Sequence, residues 1–198
     1  MSRPARTLRR PSGTRHERET ILVVTEGQTE KGYIEGLKQH LRSSATPQVT
    51  ATKVVNGKGE PDRVMRTAQA RSKDADFDEV WLLLDVDEHA RLLPVVEQAR
   101  RLGFFAAVSN PCFEVWVVWH FEDVRQEADR GDVQRTARGH GVDKSLPANF
   151  PYDLRVEAVN RADRRFVGIN CVGPNPSTGF PRLLDRICGT DSAPAKCD

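Results

Sequence analysis

No stretch of the chain approaches the ~20 consecutive apolar residues that a membrane-crossing helix needs, and the mean hydropathy is −0.55. The first residues are arginine-rich with no apolar segment behind them, so no secretory signal is expected. Cysteine is scarce: Cys112, Cys171, Cys188 and Cys197 form no C-x-x-C pair, and no histidine stands at zinc-ligand spacing from a pair. A structural zinc is therefore not expected, and reduced thiols in a cytoplasm fit best. Large net charge is also missing. Lys+Arg number 30 and Asp+Glu 28, for a net of +2, which excludes a uniformly basic, histone-like binder. There is no Walker A segment, G-x-S-x-G or G-x-G-x-x-G, and Gly57-Lys58-Gly59 is too short for a phosphate loop.

What is present is a 198-residue chain, 38% hydrophobic and 29% charged, enough for one α/β domain with a packed core. Its charge is uneven. Residues 1–18 hold Arg3, Arg6, Arg9, Arg10, Arg15 and Arg18 against one acid, Glu17. With Pro4, Pro11 and Gly13 and almost no apolar residues, this stretch predicts a disordered basic arm. It reads either as a phosphate-contacting arm for nucleic acid or as a solubilising leader.

From residue 20 the pattern is strand, helix, strand, helix. Thr20–Thr25 is a β-branched apolar run of the kind buried on both faces of a sheet. Tyr33, Ile34, Leu37 and Leu41 recur at helical spacing, and 49–55 alternates as a second strand. After the loop 56–59, Val64, Met65 and Ala68 mark a helix with Pro61 in its first turn. Val80–Leu84 is the most apolar strand. Leu92, Val95, Val96, Ala99 and Leu102 give a helix closed by Gly103, and Phe104–Val108 a fourth strand. This alternation predicts a parallel sheet covered on both faces.

Beyond it, Pro111–Phe121 is apolar nearly all round. Asn110 as N-cap and Pro111 at N1 favour a buried helix, although Val115–Val118 would also suit a strand. Asp123–Arg138 reads as helical. Leu154, Ala158, Ala162 and Phe166 repeat every four residues, and Phe180, Leu183, Leu184 and Ile187 give a last helix. The expected organisation is an arm over 1–18, one domain over 19–188 (a sheet core over 19–121 and a helical C-terminal elaboration over 122–188), and a tail over 189–198.

Open parallel sheets gather functional groups at the carboxyl ends of their strands. Three acidic sets fall there: Glu26 after the first strand, Asp85 and Asp87 after the third, and Glu114 just beyond the fourth. Carboxylates ending adjacent buried strands repel one another unless a cation lies between them. A hard divalent ion suits such oxygen donors, and Mg²⁺ commonly takes one or two carboxylates plus water or phosphate. In Asp85-Val86-Asp87 alternate residues of an extended segment point the same way. Single strand-end acids are ordinary solvated loop residues; three sets together are not. The histidines carry less. His89 adjoins the acidic motif as a helix-start residue or phosphate contact, His120 reads as a core residue, and His16, His40 and His140 as surface positions.

A Glu in a short Gly turn after strand one, with Asp-x-Asp after a later apolar strand, resembles the Toprim metal site of topoisomerases, bacterial primases and overcoming-lysogenization-defect nucleases. Four segments taken in order are similar to successive motifs of the RloB family: Val23–Glu30, Leu84–Glu88, Ser109–Trp116 and Asn175–Thr178. Together they span about residues 20–188, and Ser109-Asn110-Pro111-Cys112-Phe113-Glu114 is the most specific. Gln28 departs from the charged residue that relatives often carry, and the basic arm is longer than the motif core needs.

The resemblance implies a Toprim-like (Rossmann-like) α/β domain, often encoded beside an ATPase of the AAA or ABC type and linked to anti-phage defence. It implies phosphodiester cleavage of DNA or RNA with Mg²⁺ or Mn²⁺ as cofactor. Glu26, Asp85 and Asp87 would then be catalytic and metal-holding, with Glu26 alternatively a general acid/base. Glu114 would be a further ligand. Lys144 would face the nucleic acid together with the arginines of the arm. The alternative is a non-catalytic effector or sensor that binds an ATPase partner. Phosphoryl transfer on the haloacid-dehalogenase pattern is disfavoured, because its Asp-x-Asp follows the first strand and position 89 here is His.

Overall fold

The computed structural model describes residues 19–43, 50–86, 91–165 and 167–189. The arm with its six arginines and His16, residue Val49, the Asp87-Glu88-His89 segment, Phe166 and the tail beyond 189 lie outside the described residues.

The chain builds an α/β structure around a five-stranded, mostly parallel sheet of the Rossmann-like, Toprim-like kind. In order come β1 (Thr20–Thr25), α1 (Gln28–Ser43), β2 (Ala51–Asn56), α2 (Pro61–Arg71), β3 (Glu79–Asp85), α3 (Leu92–Arg101) and β4 (Phe105–Asn110). There follow α4 (Glu114–Val118), α5 (Arg130–Gly139), α6 (Arg155–Asp163), β5 (Ser177–Thr178) and α7 (Phe180–Cys188). The strand order is β2-β1-β3-β4-β5. The first four are parallel, with Thr25 opposite both Asn56 and Leu83 and with Asp85 opposite Ser109. The two-residue β5 runs antiparallel to β4.

The apolar runs of β1 and β3 are explained by burial on both faces. Because side chains alternate across a strand, Ile21, Val23, Trp81 and Leu83 enter one core with α1, α4, α5, α6 and α7. Leu22, Val24, Val80, Leu82 and Leu84 enter the other, under α2 and α3. The helices after residue 122 thus pack into the same layer as α1.

The centre of that layer is aromatic. Tyr33 of α1 meets the rings of Phe113, Trp116, His120, Phe150, Tyr152 and Phe180 edge-on, at centroid distances of 5.4–6.1 Å. His120 is a core histidine, 1% exposed. Its Nδ1 donates to the Trp116 carbonyl at 3.0 Å, so Nε2 accepts from the Tyr33 hydroxyl at 3.1 Å. The neutral ring satisfies both partners, and burial pushes its pKa down to about 4.

Four expectations fail. Asn110 is the last residue of β4 rather than an N-cap, and its side chain donates to the Gly173 carbonyl at 2.9 Å. Helix α4 starts only at Glu114 and lasts five residues. The sheet extends two residues further than the apolar run suggests, because β5 offers Asn110 a partner at Ser177. Within Asp123–Arg138, helix begins only at Arg130, where the Asp129 side chain accepts the Asp132 amide at 2.8 Å as N-cap. The thiols are not all reduced. Cys112 and Cys188 are free, but Cys171 is disulfide-bonded. Sequence spacing misses such a bond because it joins residues brought close only by folding.

Two predictions follow from packing. A Cβ at Gly57 would stand 2.9 Å from Val64 Cα, a backbone atom of α2. Gly57→Ala is expected to cost about 1–3 kcal/mol, read as a lower midpoint in denaturant at unchanged slope. His120 is expected to titrate near 4 in an NMR pH series, well below the ordinary 6.5. Its folded pKa is depressed, so its contribution is intact above about 6.5 and falls as pH drops from there to about 4, where the unfolded chain alone takes up the proton. The loss amounts to about 3 kcal/mol.

Candidate functional site

The β2-β1-β3-β4 order reverses direction between β1 and β3, and ligands of open α/β sheets bind outside the strand ends at such a point. Glu26 follows β1 and Asp85 closes β3, so the two strands at the reversal each end in a carboxylate. The Asp85 amide donates to Glu26 Oε2 at 3.3 Å, which ties the two strand ends together. The loop after β2 steadies Glu26 from the other side. Gly57 N–H donates to the Thr25 carbonyl at 2.8 Å and Gly59 N–H to the Glu26 carbonyl at 3.1 Å.

The turn from β1 into α1 brings in another acid. Thr25 Oγ1 donates to the Gly27 carbonyl at 2.8 Å, and Gly27 N–H donates to Glu30 Oε1 at 3.2 Å. The Glu30 side chain therefore folds back over the first turn, in the manner of one half of a capping box. Gly27 permits this fold-back, since a Cβ there would stand 2.7 Å from Glu30 Oε2.

Asp85 is 6% exposed. Its Oδ1 accepts the Phe113 amide at 2.9 Å, which links it to the entrance of α4 and so to Glu114. Its Oδ2 lies 3.5 Å from a guanidinium nitrogen of Arg130, the first residue of α5. Glu26, Glu30 and Glu114 all act on Asp85 electrostatically. Burial, followed by the charges of Glu30, Glu114 and Glu26, holds its pKa well above the carboxylate range, and Arg130 offsets only part of this. Burial foremost, with Glu114 and Glu26 adding to it, pushes Glu30 up to about 7 against its backbone hydrogen bonds.

The structure thus brings Glu26, Asp85 and Glu114 into one acidic cluster and adds Glu30 and Arg130, which the sequence reading did not single out. Glu30 lay within the quoted motif but resembled an ordinary first-turn acid. Arg130 is distant in sequence and carried no local signal. Asp87 lies outside the described residues. Lys144 is exposed and shares a cavity of about 280 Å³ with Thr29, Glu114, Gln134 and Arg138. A larger cavity of about 710 Å³ runs beside α1, from Gln28 and Lys31 past Lys144 to His40 and Tyr152.

Among the described residues no three His, Cys, Asp or Glu side chains form a group that could hold a metal ion. The donor chemistry nonetheless fits a hard divalent cation: carboxylate oxygens only, in excess over the Arg130 guanidinium, with Asp85 driven towards its neutral form by burial and then by its acidic neighbours.

The chain belongs to the RloB-like protein family. The family model matches residues 21–187, which takes in the five strands from the second residue of β1 onward and every acid of the cluster. No curated protein and no solved structure matches the chain. No helix among the described residues of this RloB-like chain is long and apolar enough to cross a membrane.

Crowded carboxylates have a measurable consequence. The folded pKa of Glu30, about 7, lies above its ordinary 4.5. Stability from this group is full below about 4.5 and falls as pH rises through 7, because the folded chain must then release a proton that the unfolded chain has already lost. In EDTA at pH 8, Glu30→Gln keeps the acceptor for Gly27 and removes the charge. It is expected to be more stable than wild type by roughly 1–3 kcal/mol, with the gain vanishing near pH 4.5. Denaturant titrations at the two pH values check this.

Proposed function

We propose that this RloB-like protein is a divalent-metal-dependent nuclease that cleaves phosphodiesters of DNA or RNA. The observation that carries the reading is the cluster of Glu26, Glu30, Asp85 and Glu114 at the β1/β3 reversal, where burial and mutual repulsion leave Asp85 short of positive charge. Glu26, Asp85 and Glu114, with Asp87 of the same motif, are the residues proposed to hold Mg²⁺ or Mn²⁺. When bound, such an ion supplies polarisation of a phosphoryl oxygen and charge stabilisation of the attacking or leaving oxygen.

The chain's own residues prepare this site. Phe113 N–H orients Asp85 through Oδ1. Glu30 holds the Gly27 turn beside Glu26, whose carboxylate accepts the Asp85 amide of β3. Lys144, on the cavity shared with Glu114, is suited to meet substrate phosphate, and the arginines of the N-terminal arm would add salt-sensitive affinity. The RloB resemblance extends the proposal to anti-phage defence in company with an AAA- or ABC-type ATPase.

The test is cleavage of a panel of single- and double-stranded DNA, single-stranded RNA and tRNA. It is run with Mg²⁺, Mn²⁺ or EDTA, and with and without an ATPase encoded beside the gene. Metal-dependent cleavage that falls at least ~100-fold in Asp85→Asn, at a melting temperature in EDTA no lower than that of wild type, is the expected result; losses of that size follow removal of a charge-stabilising group. Cleavage that survives EDTA or Asp85→Asn would refute the metal-site reading. No cleavage in any arm, with ATPase binding intact in Asp85→Asn, would point to the non-catalytic effector.

A further inference from the structure

Arginine is concentrated at a second place, away from the acidic cluster. Arg125 in the segment after α4, Arg161 near the end of α6, and Arg164 and Arg165 just past it line a cavity of about 230 Å³, together with Trp119 and Asp123. Four guanidinium groups face one carboxylate, a local surplus of three positive charges in a chain whose total is +2.

The groups are held in place from the protein side. Arg125 Nε donates to Asp123 Oδ2 at 2.6 Å, and Arg164 donates to the same oxygen. Arg161 donates to the Trp119 carbonyl, and Arg165 to the Arg125 carbonyl at 2.5 Å. Each guanidinium carries five N–H donors, so these bonds leave donors over. Burial raises the Asp123 pKa, but the hydrogen bonds and charges of Arg125 and Arg164 outweigh it and keep the carboxylate ionised. Asp123 is already shared between two of the arginines, so the surplus positive charge is open to an external anion. Planar forks converging on one cavity suit tetrahedral phosphate oxygens, which accept such donors in pairs.

The position of the pocket narrows the ligand. Helix α4 begins at Glu114 in the acidic cluster, and Trp119 directly follows its last residue. Those five residues rise about 7.5 Å, a few nucleotides at the ~3.4 Å rise of one strand. The segment after Asp123 then returns to Arg130, at Asp85. Both ends of α4 therefore border charged sites of opposite sign.

We propose that Arg125, Arg161, Arg164 and Arg165 form an oxyanion pocket that grips a backbone phosphate of the nucleic acid a few nucleotides from the acidic site. This rests on the nucleic-acid part of the reading above, but not on cleavage.

The experiment uses the full chain in EDTA, so that neither metal nor cleavage contributes. Fluorescence anisotropy follows binding of a labelled single-stranded RNA about 20 nucleotides long (several contact sites at the usual 4–16 nucleotides each), and of DNA of the same sequence, across a salt series. Three proteins are compared: wild type, Arg125→Gln/Arg164→Gln, and Arg63→Gln/Arg66→Gln, which removes two arginines from the outer surface of α2. Loss of one phosphate contact lowers the salt slope by about 0.7 on a single strand. The pocket variant is expected to bind about tenfold more weakly at low salt with a slope lower by about 0.7–1.4, while the α2 variant stays within about twofold of wild type.

Equal loss in both variants would mean diffuse charge and would overturn the pocket, as would unchanged binding in the pocket variant. Failure of wild type to bind either strand would overturn it too. If the double variant melts early, Arg125→Gln alone, at a side chain 74% exposed, carries the comparison with a slope change of about 0.7 or less. Pocket-dependent binding without cleavage under any metal would leave the pocket standing and remove the nuclease.

Discussion

Like charges held together at the end of a buried sheet are the constraint around which the rest of this structure is arranged. Glu26, Glu30, Asp85 and Glu114 come from four different elements, and each raises the cost of ionising another. An isolated loop would let them drift apart into water. Here the Glu26–Asp85 contact, the Gly27–Glu30 turn and the Phe113–Asp85 bond hold them together. On the proposed function, a bound cation would return the stability that this arrangement forgoes, since a ligand stabilises only the state that binds it.

Packing behind the site resists the repulsion together with the bonds within it. Tyr33 lies one turn along α1 from Glu30, and its ring meets six others, among them Phe113 and Trp116 on either side of Glu114. Edge-to-face contacts of this kind contribute about 0.5–1.5 kcal/mol each beyond the area they bury. The neutral His120 closes the same cluster by accepting the Tyr33 hydroxyl. The start of α1 and the start of α4, which carry Glu30 and Glu114, are therefore set by one aromatic core. A change deep in that core would be felt as a change in carboxylate spacing.

The charges of the molecule are segregated as well as numerous. The acidic site is at the strand ends, and the arginine pocket at the far end of α4. Arg130 and Lys144 stand at the edge of the acidic site, on Asp85 and beside Glu114 respectively.

The strands and the acids that end them were legible in the sequence, because strands buried on both faces must be continuously apolar and the first polar residue after such a run lies at the sheet edge. That reasoning located Glu26 and Asp85, and the spacing of Ser109–Glu114 located Glu114. It misjudged Asn110, whose pairing partner Ser177 lies more than sixty residues away. It also overextended the helix before Arg130, where charged side chains suit helix and loop alike. Glu30 resembled any acid in a first helical turn, and its raised pKa exists only because α1 is pressed against the sheet and Glu114. Arg130 and the arginines of the pocket are scattered over some forty residues, with no spacing that marks them. Local periodicity determined which segments fold and which faces they bury. The convergence of charges from distant segments depended on tertiary packing, because electrostatic neighbours are set by distance through space and not along the chain.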